Sequence, residues 1–459
     1  MNPYTALCSR LLFPLHERLK GHQSVAIRER LEAQERWPRE RLESWRLELL
    51  KEFLARVGEG VPYYKALFRG LGFDPRGVTA ISDLSVLPLT DKATMRAAGD
   101  GLKSLHAGPL SRYNTGGSSG EPLIFYIGKA RKSHDVGAKW RVTRWWGVDI
   151  GDPEMVVWGS PIELGAQDRV RLLRDRLLRT TLLPAFEMSE RRLDEFVAAI
   201  RKRRPAMLFG YPSALSLIAR HAESRSIAMD DLGIKVAFVT SERLYDDQRA
   251  TIRRVFGCPV ANGYGARDAG FLVHECPHGG MHLQAEDIII ETVGGDGRPV
   301  APGTAGEIVV THLATHEFPF LRYRTGDVGI LSDQTCSCGR TLPLMQEIQG
   351  RTTDFVVAAD GTILHGLALI YTVRDLPGVE RFKIVQHTRQ LVEVLVVAAA
   401  PFGAESEARI VRDYKARLGQ TVDVQVKRVD DIPAEKSGKY RYVVSHVEGA
   451  APGGGGDAR

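Results

Sequence analysis

The sequence predicts an α/β fold: a large N-terminal α/β domain with β portions, then a small mobile α+β domain at the C-terminus. Three observations carry this. From about residue 110, short apolar runs alternate with amphipathic stretches, the pattern of a largely parallel sheet covered by helices. From Ile288 to Leu331 the order is apolar run, Gly-rich turn, apolar run, as in antiparallel β. After Arg351 short strand patterns and one long amphipathic stretch fill about a hundred residues, an ordinary domain size. At 459 residues the chain is also too long for one compact core.

The elements follow in order. Residues 25 to 58 show helical periodicity through Ile27, Leu31, Trp37, Leu42, Trp45, Leu49, Phe53 and Val57, and Val61-Pro62-Tyr63-Tyr64 breaks it. Thr90-Asp91-Lys92 caps a further short helix. Strands are expected at Leu123–Ile127, Met155–Trp158, Met207–Phe209, Val236–Thr240 and Val260–Asn262, with helices at Ser189–Lys202 and Ser213–Glu223. Antiparallel strands follow at Ile288–Thr292 and Glu307–Thr311 around the turn Gly294-Gly295-Asp296-Gly297. Beyond the boundary come strands Phe355–Val357, Phe382–Gln386, Leu391–Ala398 and Val422–Val426, with a helix at Glu405–Leu418. The division is a helical entry region at 1–100, a nucleotide- and acid-binding core at 101–351, a lid at 352–448 and a low-complexity, disordered tail at 449–459.

Composition excludes little beyond extremes. The chain is 43% apolar and 26% charged, as in an ordinary globular protein. Its net charge of +6 could mark nucleic acid or a membrane surface. The basic residues are read as spread out, alternating with acids in segments such as Arg28 to Arg46, like a solvated helix face. No nucleic acid is expected. Neither a signal peptide nor a membrane span is apparent, and the cytoplasm is the expected location. Five cysteines, an odd number, argue against a disulfide framework and leave metal binding open.

Five motifs carry chemistry. Thr115-Gly116-Gly117-Ser118-Ser119-Gly120-Glu121-Pro122 is a loop whose glycines and hydroxyls suit phosphate oxygens; it lacks the ending of a Walker P-loop. Asn262-Gly263-Tyr264-Gly265-Ala266-Arg267-Asp268 offers a Tyr that could stack on a base and an acid that could hold magnesium. In Phe320 to Gly329 a Thr-Gly-Asp turn places Asp327 where a carboxylate can accept ribose hydroxyls. Gly350-Arg351-Thr352-Thr353-Asp354 sits at the domain boundary. Pro433 to Arg441 contains Ser437-Gly438-Lys439, a point charge in a Gly-flanked loop. Each alone also reads as a plain turn or basic loop; their order is the signal.

That order resembles the adenylate-forming superfamily of acyl-CoA synthetases, adenylation domains and luciferases, and within it the phenylacetate-CoA ligase branch with its capsule-biosynthesis relatives. The likeness runs from about residue 10 to 448 and includes Val61-Pro62-Tyr63-Tyr64, Glu307 to Thr311 and Cys336-Ser337-Cys338-Gly339-Arg340-Thr341. It implies an ATP-dependent ligase that makes an acyl-AMP, with Mg²⁺ and ATP, and coenzyme A as the thiol acceptor. Thr115, Gly116, Gly117, Ser118, Ser119 and Gly120 would cradle the phosphates. Ser241 and Glu242 would line the nucleotide pocket, Tyr264 between Gly263 and Gly265 would lie on the adenine, and Asp327 would hold the ribose. Arg351 would sit at the hinge. Lys439, Asp268 and Arg267 are the catalytic candidates, with Lys439 delivered by the lid and Asp268 in the magnesium position.

The sequence departs from the family at three places. Arg267-Asp268 stands where Ser or Thr precedes Glu, Glu121 where Lys is common, and Thr353 at the hinge acid with Asp354 next to it. The partner is a small carboxylic acid; Trp158 to Pro161, Phe209 to Pro212 and Gly263 point to an aromatic or flat one, and a homodimer is open. Amide or ester formation, AMP transfer to a cofactor acid, and a non-catalytic nucleotide-binding scaffold are the alternatives.

A structural zinc site is expected from Cys276, Cys336 and Cys338 with one histidine, an ordinary tetrahedral donor set. His282 is the chosen fourth ligand and His278 the alternative.

Overall fold

The computed structural model describes residues 2–115, 123–158, 169–185, 188, 190–351, 355–365, 367–374, 376–433 and 441–447. The expected α/β class is found. A hairpin of β1 (Ser111–Asn114) and β2 (Ile124–Ile127) precedes the main sheet. In that sheet β3 (Glu154–Trp158), β4 (Thr180–Pro184), β5 (Met207–Gly210), β6 (Val236–Thr240) and β7 (Val260–Ala266) pair in parallel. The antiparallel part adds β8 (Gly270–Glu275), β9 (Met281–Leu283), β10 (Ile288–Val293), β11 (Ala305–His312), β12 (Tyr323–Ser332) and β13 (Leu344–Arg351). Spatial order is β10-β11-β12-β13-β9-β8-β7-β6-β5-β3-β4.

The central parallel strands β5 and β6 read as nearly continuous apolar runs because helices cover both faces. All residues of β5 and β6 are buried. Helices Glu190–Arg203, Pro212–Ser224 and Asp246–Phe256 close one face through Phe196, Leu215 and Phe256. The helix Lys129–Trp145 closes the other, where Val142 meets Phe209 and Phe238. Each such aromatic contributes about 1.5–3 kcal/mol by leaving water.

C-terminal to this sheet, β14 (Phe355–Val357) pairs with β15 (Ile363–His365). A second sheet of β16 (Val379–Thr388), β17 (Leu391–Ala398), β18 (Asp423–Arg428) and β19 (Val443–Ser445) has the order β18-β17-β16-β19. Helix Ala404–Leu418 covers it through Ile410 and Tyr414, which share a core with Ile384 and Val394.

Three expectations change in detail. The region 25–58 is two helices, Ser24–Gln34 and Arg39–Gly60, parted at Pro38, whose extended backbone cannot continue the first. Pro62 does more than break a helix: it opens Pro62–Leu71 at the first turn, where its missing N–H costs nothing. The Asn262 to Ala266 motif lies inside β7, not in a turn after it. The Asp91 cap forms as read, its side chain accepting from Thr94 N at 2.7 Å.

Candidate active site

The carboxyl ends of β6 and β7 open into a cleft of ≈ 440 Å³, at the place where the sheet passes from parallel to antiparallel. Strand ends at such a switch are where α/β folds leave a crevice. Ser241, directly after β6, has φ +72°, a conformation that turns the chain sharply and presents Glu242. Glu242 accepts from Ser213 N at 3.2 Å, at the start of helix Pro212–Ser224. Gly263 and Gly265 are required by packing: a Cβ would come 2.7 Å from the Phe238 ring at the first and 2.4 Å from the Gly270 carbonyl oxygen at the second.

Tyr264 and Asp327 stand on β7 and β12, with β8, β9 and β13 between them in the sheet order, yet they touch. The Tyr264 hydroxyl donates to Asp327 Oδ2 at 2.8 Å, so the sheet curls here and closes one wall of the cleft. The turn carrying Asp327 is held from below. Arg322 is buried, donates to Glu291 at 3.1 and 3.2 Å, and also donates to the carbonyls of Ser85, Leu87 and Gly297. Thr325 Oγ1 donates to Ile308 O at 2.8 Å and accepts from Asp327 N at 3.1 Å. Arg351 pairs through its backbone with Asp327 across β12 and β13.

The remaining candidates divide. Thr115 closes the loop end of the β1–β2 hairpin, its Oγ1 accepting from Leu123 N at 2.9 Å. Gly116 to Gly120, Lys439, and the hinge residues Thr353 and Asp354 lie outside the described residues. Arg267 is exposed and donates to Asn114 O at 3.4 Å, beside the end of β1. Asp268 is buried and does not line the cleft; its Oδ2 accepts from Tyr323 Oη at 2.6 Å and its Oδ1 from Ala269 N at 3.0 Å. Of the acid-pocket candidates, Trp158 stacks on Tyr211 at 4.5 Å and on Phe209 at 5.8 Å between ring centres.

Arg441 and Tyr442, just before β19, line the cleft; Arg441 closes the fifth motif, and Tyr442 was left out of the sequence reading although it follows Lys439 within three residues. Tyr442 packs edge-on against Tyr245 at 5.3 Å, and burial pushes its hydroxyl up to about 12.

Cys276, His282, Cys336 and Cys338 come together with all four donor atoms within 4.8 Å of one another. Cys276 Sγ is 3.6 Å from Cys336 Sγ, far beyond a disulfide bond. Cys338 Sγ is 3.2 Å from His282 Nε2. Donor pairs around a tetrahedral zinc stand about 3.5–3.8 Å apart, so the set fits that ion. His282 Nδ1 faces Leu342 O at 3.4 Å, the outer contact that orients a metal-binding imidazole. Burial brings His282 down to about 4, which keeps the ring neutral and able to ligate. His278 is outside the cluster and meets Ser337 Oγ at 3.3 Å. Gly280 leaves room for the Cys336 thiol, since a Cβ there would lie 2.6 Å from its Sγ.

Residues 356–446 match the family model for the CapK C-terminal domain. A phenylacetate-coenzyme A ligase of Thermus thermophilus is 26% identical over 440 residues, covering 89% of this chain and 97% of that protein. Protein CapK of Staphylococcus aureus is 21% identical, covering 87% and 88%. A crystal structure of 2-hydroxyisobutyryl-CoA ligase, in the postadenylation state with 2-HIB-AMP, superposes with a TM-score of 0.72 over 90% of this chain and 91% of that one, at 21% identity. Fold and relatives together define an enzyme of the adenylate-forming ligase class. Within that class the chain is a homologue of the phenylacetate-CoA ligase and CapK proteins.

Proposed function

We propose that the chain uses ATP to convert a carboxylic acid to its acyl-AMP and then passes the acyl group to coenzyme A. The observation that carries this reading is the Tyr264–Asp327 pair closing the cleft beside Ser241 and Glu242, in a chain whose relatives are named for acyl-CoA formation. In this reading the acid's oxygen attacks the α-phosphorus and pyrophosphate leaves. Asp327 accepts the ribose hydroxyls, Tyr264 lies on the adenine, and the Thr115 to Gly120 loop meets the phosphates. Lys439 supplies a positioned cation to the charge that develops at the reacting phosphate. A magnesium ion, when bound, would offset phosphate charge. In this geometry Asp268 would have to release the Tyr323 hydroxyl to ligate it.

The acid is aromatic in this reading, supported by the stacked Trp158, Phe209 and Tyr211. Residues 352–448 act as the lid that brings Lys439 and Arg441 to the cleft. The Cys276, His282, Cys336 and Cys338 set holds one structural zinc. A second reading, a nucleotide-binding scaffold without turnover, draws on the inward-facing Asp268. Incubation with ATP, aromatic and aliphatic acids, and either coenzyme A or hydroxylamine separates these, with products read by mass spectrometry. An aromatic acyl-CoA is expected. Hydroxamate without thioester would move the acceptor away from coenzyme A, and no product from any acid would favour the scaffold.

A further inference from the structure

The N-terminal helical segment turns a row of leucines outward. It runs as helix Pro3–Leu7, a π-turn Cys8–Leu12 and helix Phe13–Leu19. Its inner face buries Cys8 and Phe13 together with polar groups: Thr5 donates to Asp152 at 2.8 Å, and Glu17 accepts from the Ser24 hydroxyl. Its outer face exposes Leu7, Leu11, Leu15 and Leu19, at 44, 57, 52 and 81%. A helix at a protein surface normally turns its leucines inward. Spacing by four drifts about 40° per step on an α-helix, and the wider π-turn takes part of that drift out, so the stripe stays in line. Helix Arg169–Leu177 lies alongside, tied by the Tyr4 hydroxyl donating to Leu177 O at 2.8 Å. It adds exposed Leu173 and Leu177. Among the described residues, these two segments hold seven of the twelve exposed large apolar side chains.

Charge is concentrated in the same place. Residues 1–20 and 169–179 contain eight basic residues, among them Arg10, Arg18, Lys20, Arg176 and Arg179, against only Glu17 and Asp175. Their surplus equals the net +6 of the whole chain, so the remaining residues balance. The other 54 basic residues stand among 54 acids, so the reading of the basic residues as spread out holds outside these two segments. The two segments adjoin closely enough for Arg174 and Lys20 to help hold His16 below its usual range, after burial.

We propose that this face docks on an anionic lipid surface. Exposed leucines flanked by arginines are what a helix lying in the headgroup layer requires: apolar side chains to enter the acyl boundary and cations to meet the lipid phosphates. A symmetric pairing of two copies would set the same positive face against itself, which like charges oppose. No described helix is long and apolar enough to cross a membrane, so the contact is peripheral.

Flotation with phosphatidylcholine vesicles, with and without phosphatidylglycerol, tests this. The full chain is expected on the phosphatidylglycerol vesicles, released by salt. A variant with Leu11→Gln, Leu15→Gln and Leu19→Gln should bind about tenfold less. A variant with Arg10→Gln and Arg18→Gln should also bind about tenfold less, but only to the anionic vesicles. Melting temperatures should not change, because these side chains are exposed, and the arginine variant stands if the leucine variant folds poorly. Equal binding by variants and parent, or no binding to either vesicle, overturns the proposal. A dimer in sedimentation that the leucine variant abolishes would overturn it too, assigning the face to a second copy.

Discussion

The wall of the cleft rests on a few hydrogen bonds whose loss is measurable. Removing the Asp327 carboxylate should weaken ATP binding by about 1–3 kcal/mol, since Asp327→Ala takes away the acceptor proposed for the ribose and the shorter of the two acceptors of the Tyr264 hydroxyl, whose other is Thr325 Oγ1 at 3.4 Å. Calorimetry of nucleotide binding reads this, and an unchanged affinity would take Asp327 out of the site. His274 makes a second residue-scale case. It is buried, its Nε2 has no hydrogen-bond partner, and it stacks on Phe271 at 5.4 Å. Burial first, then the nearby Arg141 charge, brings it down to about 3. A histidine lowered in the folded state adds stability above its unfolded value near 6.5 and loses it as pH falls toward the folded value. Between pH 7 and 5 that loss is about 2 kcal/mol. His274→Phe should flatten the stability profile in that window by this amount in denaturant titrations; an unaltered slope would place the acid sensitivity elsewhere. Local motifs such as Tyr264 and Asp327 were legible in the sequence because turn chemistry and residue type mark them. Their contact was not, because 63 positions separate them and only the curled sheet joins them.

Among the elements, β6, β14 and β17 have the ends read from the sequence, because each is a β-branched or apolar run bounded by turn residues. β9 was missed. It has three residues, flanked by the Cys276 to Gly280 turn, and no alternation can be seen over that length. Its partners make it important: it joins β8 to β13, and through them the Tyr264 wall to the Asp327 wall. The zinc proposal belongs here, because His282 lies on β9, Cys276 in the turn before it, and Cys336 and Cys338 in the segment leading into its partner β13. Elemental analysis should find one zinc per chain. The double variant Cys336→Ser, Cys338→Ser should lose it and melt several degrees lower, since metal binding is coupled to folding. Gly280→Ala should also lose zinc, because its Cβ would meet Cys336 Sγ at 2.6 Å. A metal-free protein with an unaltered melting temperature would remove the site.

At the scale of the molecule, the large sheet, the cleft at its switch from parallel to antiparallel, and a smaller C-terminal sheet reaching that cleft make one arrangement. The fold class was legible because periodicity changes twice along the chain. The outward row of N-terminal leucines was not, since they have helical spacing and only burial shows which way they point. The central claim is adenylation, and acid-dependent exchange of labelled pyrophosphate into ATP tests it most directly. The wild-type chain should exchange label only with its acid present. Lys439→Ala should reduce the rate by about two to three orders of magnitude, the scale of losing one electrostatic group that acts on the transition state. ATP affinity should hold, because the proposed nucleotide contacts, Tyr264 and Asp327, lie on the large sheet. Exchange absent with every acid, or unchanged in Lys439→Ala, would contradict the account.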